Sequence, residues 1–298
     1  MILNKIDWIA IDWGTTNFRA WFIKKDKVLK EINKPHGIKN ILSKNFEDIL
    51  VANIELPKKN SRKIKIISCG MIGSKQGWFN TGYEKNLNLS KNNLVKVKTK
   101  NKFLDFYIVK GLAQKSPYDV MRGEETQVLG YLQINKKFTG FLCLPGTHSK
   151  WIKMNQGKLI KFKTYMTGEL HEIISRHTIL KHSLIEKKIS KSIFKESVLL
   201  SQKKNFNFFD YLFEFRSRNL LSNKKYFPKS ELIGYLIGNE IKSNINNIKN
   251  NKVIIIGSNY NSKLYSQAMQ VLKIKNSIVD SANVTIIGLK TLFNKFVT

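Results

Sequence analysis

The amino-acid sequence predicts an α/β protein made of two similar lobes. A unit of strand, Gly-Thr turn, second strand, tight hairpin and third strand begins near residue 5 and begins again near residue 139. Apolar residues at helical spacing follow each unit, most clearly over 229–245. We therefore expect a duplicated architecture, with an N-terminal lobe at 1–135, a C-terminal lobe at 136–298 and a shared cleft between the two turns.

Apolar periodicity places the elements along the chain. In the first lobe it predicts strands at 5–12, 18–24, 28–32, 63–69 and 103–111, a helix at 45–54, and a second helix that opens within 119–127. In the second lobe it predicts strands at 139–144, 151–154, 159–165 and 252–257, with helices at 168–180, 208–221, 229–245, 263–272 and 281–296.

Composition limits the classes of function. The net charge is +31, but the lysines are scattered through every segment, and sequence-specific nucleic-acid binding requires placed contacts as well as charge. No apolar run approaches the ~20 residues of a membrane-spanning helix, and Lys5 and Asp7 interrupt any signal peptide. Cys69 and Cys143 lack CxxC spacing. We expect a cytoplasmic protein without membrane or specific nucleic-acid partners, with both thiols packed inside strands.

The first Gly-Thr turn is the strongest candidate site. An apolar strand brings Asp12 to a turn formed by Gly14, Thr15, Thr16 and Asn17. An ordinary β-turn with hydroxyl groups at the bend would look similar. The recurrence of the unit favours a phosphate-binding hairpin, in which Asp12 holds Mg²⁺ through water.

The second turn supplies the same types of group. Backbone N–H groups and side chains at Gly146, Thr147, His148 and Ser149 are candidates to bind phosphate with the first turn, so that the two clamp a triphosphate. Arg19 or Lys150 would neutralise charge on the transferred group. Each turn leads into a strand and no GxxxxGK[ST] motif occurs, which excludes a P-loop enzyme.

Three further segments carry candidate site residues. A glycine-rich loop after strand 63–69 suggests contact with substrate, and the helix opening at 119–127 is more polar than a helix cap requires. Gly257 and Ser258 end a buried strand before a helix, which suits the base or ribose of a nucleotide.

Seven runs of sequence, taken together, identify a family. They read IAIDWGTTNFRAW, SCGMIGSKQGW, DVMRGEETQVLG, LPGTHSKW with KFKTYMTGEL, SRHTIL, GYLIGNEI and VIIIGS, and they lie between residues 9 and 258. The chain resembles the 2-dehydro-3-deoxygalactonokinases of the actin-like, hexokinase-type sugar kinase superfamily. The resemblance implies two duplicated actin-like (ribonuclease H-like) lobes with a central interlobe cleft. It also implies ATP-dependent, magnesium-assisted phosphorylation of the C6 hydroxyl of 2-dehydro-3-deoxy-D-galactonate in galactonate catabolism.

The resemblance also assigns roles to positions. The general base is expected to be Glu124, with Glu125 and then Asp119 as alternatives. The sugar acid is expected to contact side chains of the glycine-rich loop and two arginines, namely Met71, Gly73, Gln76, Trp78, Arg122 and Arg176. His148 and His177 are expected to be structural or to contact phosphate.

The sequence pattern is also compatible with other functions. A kinase for a different 2-keto-3-deoxy sugar acid, a polyphosphate hydrolase on the same scaffold, or a basic nucleic-acid-binding protein without catalysis would fit parts of the pattern. A homodimer is also left open.

Overall fold

The computed structural model describes residues 2–41, 45–56, 62–85, 93–222, 226–257 and 260–297. The chain divides into two compact units. Unit 1 comprises Met1–Phe138, Gln156–Leu159 and Ser281–Thr298, and unit 2 comprises Thr139–Asn155 and Ile160–Asp280. This division differs from two continuous segments meeting at 135/136, because the C-terminal helix packs with unit 1.

Unit 1 is a mixed α/β fold. Its strands within the described residues are β1 (Trp8–Trp13), β2 (Phe18–Lys24), β3 (Lys27–Lys34), β4 (Ile64–Cys69), β5 (Tyr83–Glu84), β6 (Leu94–Val97), β7 (Leu104–Val109), β8 (Gly111–Lys115) and β9 (Tyr118–Met121). Its α-helices there are α1 (Phe46–Asn53), α2 (Glu124–Ile134) and α10 (Ser281–Phe296). One sheet has the order β3-β2-β1-β4-β7-β6, and a smaller one has the order β5-β8-β9.

The central strand β1 is buried on both faces. Ile9, Ile11 and Trp13 join a core cluster that also contains Phe46 of α1. The alternate residue Trp8 joins a second cluster, in which its ring stacks on Phe293 of α10 at a centroid distance of 4.3 Å. Because successive strand residues point to opposite faces, the apolar run of β1 anchors helices on both sides of the sheet.

Two glycines allow α2 and α10 to pack with their backbones in close approach. A Cβ atom at Gly130 would lie 1.8 Å from the Val284 carbonyl oxygen, and one at Gly288 would lie 2.2 Å from that of Thr126. Glycine costs about 1 kcal/mol relative to alanine inside a helix. The close contact fixes α2, whose first residues belong to the candidate site.

Unit 2 repeats the same plan. Its strands within the described residues are β10 (Gly140–Leu144), β11 (Ser149–Asn155), β12 (Lys158–Tyr165), β13 (Val253–Ile256) and β14 (Asn276–Val279). Its α-helices there are α3 (Thr167–His177), α4 (Lys191–Ser201), α5 (Phe208–Leu212), α6 (Glu214–Leu221), α7 (Pro228–Lys242), α8 (Ile245–Ile248) and α9 (Tyr260–Val271). The sheet order is β12-β11-β10-β13-β14.

The two main sheets share one topology. In each, an opening hairpin is antiparallel, and its first strand pairs in parallel with a later one, β1 with β4 and β10 with β13. The duplicated α/β architecture predicted from the sequence is therefore confirmed. Both cysteines are buried and free in strands, Cys69 in β4 and Cys143 in β10. Within the described ranges, no helix has the length and apolar character needed to cross a bilayer.

Several predicted elements differ from the structure. The helix predicted to open within 119–127 begins at Glu124, and the residues Tyr118–Met121 before it pair as a strand with β8. The helix predicted at 208–221 is interrupted at Phe213. Neither α4 nor the short edge strand β14 was predicted from the sequence.

Candidate functional site

The first Gly-Thr turn joins β1 to β2 and is held by its carbonyl groups. The carbonyl oxygens of Gly14, Thr15 and Thr16 accept hydrogen bonds from the N–H groups of residues 37–39 at 3.0 to 3.1 Å. A Cβ atom at Gly37 would lie 2.2 Å from the Thr16 carbonyl carbon, so the two segments are in backbone contact. The side chains at the tip are exposed, namely those of Thr15, Thr16 and Asn17. The turn is thus fixed from behind and presents polar groups at its tip.

Asp12 lies at the carboxyl end of β1, next to this turn. It pairs with Arg19 of β2 on one side and with Cys69 of β4 on the other. Burial raises the pKa of Asp12 to about 6, the Arg19 charge lowers it, and the Glu124 charge raises it. Arg19 therefore lies beside Asp12 across the hairpin.

Two glycines bring the start of α2 to the end of β4. Gly70 has φ +94° and Gly123 has φ +106°, values that side chains other than glycine rarely adopt. A Cβ atom at Gly123 would lie 3.3 Å from the Gly70 Cα, and one at Gly70 would lie 3.2 Å from the Asp12 Oδ1. The strand ends and the helix start therefore form one compact acidic cluster in unit 1.

Glu124 and Glu125 open α2 in different environments. Glu124 is half-buried, and its Oε2 accepts the Arg122 backbone N–H at 3.0 Å. Glu125 is 3% exposed, and its two oxygens accept the Gly123 N–H at 2.6 Å and the Thr126 hydroxyl at 3.1 Å. Burial, and next the Glu124 charge, raise the pKa of Glu125 to about 8. Glu124 is the more accessible carboxylate beside Asp12.

Asp119, the third candidate base, lies on β9 opposite Gln114, and its Oδ1 accepts the N–H of Val120. It belongs to the small sheet and not to the helix opening, because the chain is extended up to Met121. Asp119, predicted within the segment that opens the helix, therefore lies on a strand before the helix.

Arg122 is bound inside unit 1. Its Nη1 donates to the Thr81 hydroxyl at 2.7 Å, its Nη2 donates to the Gly82 carbonyl at 2.9 Å, and the guanidinium lies 4.5 Å from the centre of the Tyr83 ring. At 8% exposure it holds the end of the glycine-rich loop in place. We therefore assign Arg122 to loop structure, and we do not retain its predicted pairing with the substrate carboxylate.

The other candidate substrate residues of this loop are placed differently from one another. Met71 and Gly73 lie in a short 3-10 helix, where Gly73 is buried and Met71 is half-buried. Gln76 is exposed. Trp78 stacks on Phe106 with a centroid distance of 4.8 Å, so its ring packs against the core of unit 1. Met71 and Gln76 thus remain the accessible candidates for sugar contact.

The second Gly-Thr turn is fixed by the start of α3. A Cβ atom at Gly168 would lie 2.4 Å from the Gly146 carbonyl oxygen, and the Thr147 carbonyl accepts the Glu169 N–H at 3.0 Å. The His148 ring pairs with the Glu169 carboxylate at 2.6 Å. The arrangement matches the first turn, where Gly37 takes the place of Gly168.

Ser149 and Lys150 are buried behind the second turn. The Ser149 hydroxyl donates to the Glu240 carboxylate at 2.8 Å, and the Lys150 Nζ donates to the His148 carbonyl at 3.2 Å. A hydroxyl has one proton to donate, so Ser149 in this arrangement does not donate to phosphate. The predicted phosphate contact of the Ser149 side chain is therefore not supported, because the side chain points into the core.

Two adjoining cavities lie in unit 2. The first, of about 440 Å³, is lined by the second turn, the start of α3 and polar side chains that include Arg176. The second, of about 570 Å³, has apolar walls formed by Ile189, Ile233 and Leu264. They share three lining residues, namely His171, Lys229 and Asn261. The pair provides a polar chamber at a phosphate-type turn that continues into an apolar one.

The polar chamber is positively charged. Burial, and next the charges of Lys229 and Arg176, lower the pKa of His171. Arg176 is largely exposed and pairs with Glu172 at 3.5 Å. Arg176 thus lies in the second unit beside the Gly-Thr turn, where its guanidinium suits phosphate better than the predicted sugar carboxylate.

Gly257 ends β13, and its N–H donates to the Val279 carbonyl at 2.9 Å. A Cβ atom there would lie 2.1 Å from the Ser262 hydroxyl oxygen. This glycine thus allows the following helix, which lines the apolar cavity, to start close to the strand. Ser258 lies outside the described residues.

Three residues that the structure places at these sites were not predicted from the sequence. His171 and Lys229 join the two cavities, and Glu240 is buried behind the second turn. Glu240 belongs to the GYLIGNEI run, so that motif was a usable signal. His171 and Lys229 carried none, because they become neighbours only when α7 packs against α3.

The donor set around Asp12 suits Mg²⁺. Among the described residues no group of three or more His, Cys, Asp or Glu side chains forms a complete protein cage for a metal. Mg²⁺ in phosphoryl-transfer enzymes is usually held by one or two carboxylates together with substrate phosphates and water. Asp12, whose buried carboxyl carries a raised pKa, provides such a carboxylate and would gain from a nearby cation.

Comparison with known proteins agrees with the motifs. A family model described as 2-keto-3-deoxy-galactonokinase matches residues 12–292. The probable 2-dehydro-3-deoxygalactonokinase DgoK1 of Rhizobium meliloti (strain 1021) is 32% identical over 289 residues, which cover 94% of each chain. The 2-dehydro-3-deoxygalactonokinase of Escherichia coli (strain K12) is 28% identical over 284 residues, 89% of this chain and 90% of that one.

A solved crystal structure shares the fold. It is of a Sinorhizobium meliloti protein assigned as a 2-dehydro-3-deoxygalactonokinase, with 32% identity, a TM-score of 0.86 and coverage of 96% of this chain and 95% of the other. The chain belongs to the 2-keto-3-deoxy-galactonokinase family.

Proposed function

We propose that this protein transfers the γ-phosphoryl group of ATP to the C6 hydroxyl of 2-dehydro-3-deoxy-D-galactonate, with Mg²⁺. The observation that carries the proposal is the family match over residues 12–292 in a chain whose Glu124 lies beside Asp12 at one Gly-Thr turn. The relatives named above act on this sugar acid by name. The same activity is inferred for this chain.

The two cavities of unit 2 suit a nucleotide. The triphosphate would occupy the polar chamber, against Gly146, Thr147 and the N-terminus of α3, where N–H groups and the helix dipole favour anions. The base would lie in the apolar chamber, near Tyr260 and Leu264. Lys229 lines both chambers and would neutralise phosphate charge.

Unit 1 supplies the groups for the acceptor hydroxyl. Glu124 would accept the proton of the C6 hydroxyl as that oxygen attacks phosphorus, and a carboxylate is basic enough because the proton leaves late in a loose transition state. Asp12 would help to hold Mg²⁺, which when bound would supply charge neutralisation for the transferred group. Thr15 and Thr16 would bind phosphate oxygens from the exposed tip of the first turn.

An ADP-release assay over a panel of sugar acids tests the proposal. We expect the highest kcat/KM with 2-dehydro-3-deoxy-D-galactonate, and a product phosphorylated at C6 by NMR. A higher kcat/KM with another 2-keto-3-deoxy sugar acid would change the acceptor but keep the reaction. ADP release without any acceptor would instead support a hydrolase.

A further inference from the structure

We propose that Glu240 is a positioning residue for nucleotide binding, which fixes the second Gly-Thr turn relative to α3. The inference rests on the proposed use of the unit 2 cavities by ATP. Glu240 lies on α7 and is 3% exposed, so it cannot act as a surface group. It touches neither cavity wall and acts through the residues it binds.

The Glu240 carboxylate is the acceptor for four side-chain donors from three other elements. Its Oε1 accepts the Trp151 indole N–H at 2.6 Å. Its Oε2 accepts the hydroxyl groups of Ser149 at 2.8 Å, Tyr265 at 2.6 Å and Thr167. Burial raises the pKa of Glu240, whereas these four hydrogen bonds lower it. Four donors that converge on one buried carboxylate define its position closely.

Two of these donors flank the phosphate-binding turn. Ser149 is the residue that follows 146–148, and Thr167 is the residue before Gly168, whose backbone lies against Gly146. By binding both hydroxyls with one oxygen, Glu240 sets the separation between the turn and the first turn of α3. The N–H groups expected to bind phosphate come from these two segments.

The same carboxylate also connects the helices that line the cavities. Glu240 lies on α7, which supplies Lys229 and Ile233 to the cavity walls. Tyr265 lies on α9, which supplies Tyr260 and Leu264. A change at Glu240 would therefore alter the phosphate chamber and the base chamber together.

The chain offers a matched control on the same helix. Glu231 is also a buried carboxylate of α7, but it binds Arg218 and Tyr226 within the helical layer of unit 2. Within the described residues its carboxylate binds Arg218, Tyr226 and Tyr235, none of which belongs to the Gly-Thr turn or to α3. If burial of a carboxylate in α7 mattered only for stability, Glu231→Gln and Glu240→Gln would have similar effects on nucleotide binding.

Glu240→Gln disrupts the four hydrogen bonds to the carboxylate while keeping the volume of the side chain nearly unchanged. The indole N–H of Trp151 can only donate, so the glutamine oxygen must face it and the amide N–H₂ must face the three hydroxyl groups. Those hydroxyls then have to turn and accept, which loosens Ser149 and Thr167 from their present orientation. Thr167→Val, which keeps shape and loses one donor, is a milder second variant.

The experiment measures ADP binding to the full chain by calorimetry with Mg²⁺, and steady-state KM values for ATP and for the sugar acid. We expect Glu240→Gln to weaken ADP binding and to raise the KM for ATP by about tenfold, because the hydrogen bonds that hold the turn against α3 are disturbed. The KM for the sugar acid should change less than about twofold. Thr167→Val should give a smaller change of the same kind. Glu231→Gln should leave both KM values unchanged.

Each other outcome is informative. ADP affinity unchanged in Glu240→Gln, or lowered equally in Glu231→Gln, would overturn the inference while leaving the proposed function intact. If Glu240→Gln fails to fold, an unchanged KM for ATP in Thr167→Val would overturn it as well. A wild-type chain that binds no ADP would refute the proposed function itself, and this inference with it.

Discussion

Glu124 and Glu125 are neighbours in the chain but differ in their exposure to solvent. Glu125 is buried and accepts hydrogen bonds from the Gly123 N–H and the Thr126 hydroxyl, whereas Glu124 remains half-exposed beside Asp12. The positive φ of Gly123 sets this difference, because it turns the first helical residue towards the strand ends. Under the proposed function, the two adjacent carboxylates have separate tasks, the first in the reaction and the second in the fold.

Glu124→Gln should lower kcat by about 10² or more and leave ADP affinity within about twofold, because the amide cannot accept the hydroxyl proton. Asp119→Asn, on β9, is the matched control and should change kcat by less than about threefold. Steady-state kinetics and calorimetry provide both readouts. A large loss in Asp119→Asn together with an active Glu124→Gln would reverse the assignment of the base.

Glu125 should make stability depend on pH. Its folded-state pKa of about 8 lies above the ordinary value of 4.5. As the pH rises, the unfolded chain therefore loses this proton at a lower pH than the folded protein does. Stability contributed by this proton is present below about pH 4.5 and is lost as the pH rises towards 8. At about 1.4 kcal/mol per pKa unit, the loss is about 5 kcal/mol.

Glu125→Gln removes this titration. Its Tm relative to wild type should rise by several degrees between about pH 5 and about pH 8.5, as measured by thermal denaturation. Glu31→Gln, at an exposed position of β3, should show no such trend. A pH-independent difference for Glu125→Gln would show that the buried carboxyl does not take up its proton on folding.

Removal of Mg²⁺ should abolish phosphoryl transfer, because charge on the γ-phosphoryl group is then not neutralised. Asp12→Asn should raise the Mg²⁺ concentration needed for half-maximal rate by about tenfold or more, since a neutral amide is a weaker ligand. Titration of MgCl₂ at fixed ATP measures this. Full activity in EDTA would exclude the metal role given to Asp12.

Lys229→Met should weaken ADP binding by about tenfold and reduce the salt dependence of that binding, because one cation is removed from the chamber of the second turn. Lys242→Met is a control on the same helix, at a residue whose Nζ binds the Lys203 carbonyl outside both cavities. Calorimetry at two salt concentrations distinguishes the variants. If Lys229→Met and Lys242→Met had equal affinities for ADP, the nucleotide would have to bind outside these cavities.

The sequence predicted the features that depend on local pattern. The strand Phe18–Lys24 and the helix Ser281–Phe296 have the predicted bounds, because alternation and 3.6-residue spacing are properties of neighbouring residues. Both Gly-Thr turns were also found from motifs, and Glu124 was named through the family resemblance. The features that the sequence did not reveal depend on distant partners. Ser149 has the residue type of a phosphate ligand, but its hydroxyl donates to Glu240, 91 residues away in the sequence.

The position of α10 also depends on contacts between residues that are far apart in the sequence. Its period and ends are local, but its assignment to unit 1 depends on the glycines at 130 and 288, which meet only in the folded chain. Lys229 and His171 likewise come together through packing of α7 and α3, and no sequence spacing records that contact.

Gly168 provides the most direct test of how the second turn is held. The added methyl group of Gly168→Ala would lie 2.4 Å from the Gly146 carbonyl oxygen, well inside van der Waals contact, so the turn or the first turn of α3 must shift. Overpacking of this kind costs about 1 to 3 kcal/mol. Because the strain falls on the phosphate-binding backbone, we expect ADP affinity to fall by about tenfold or more while the KM for the sugar acid stays within about twofold. Gly146→Ala, where a Cβ has no neighbour closer than 3.9 Å, should be milder. A Gly168→Ala variant with wild-type ADP affinity would show that nucleotide binding does not depend on contact between this turn and α3.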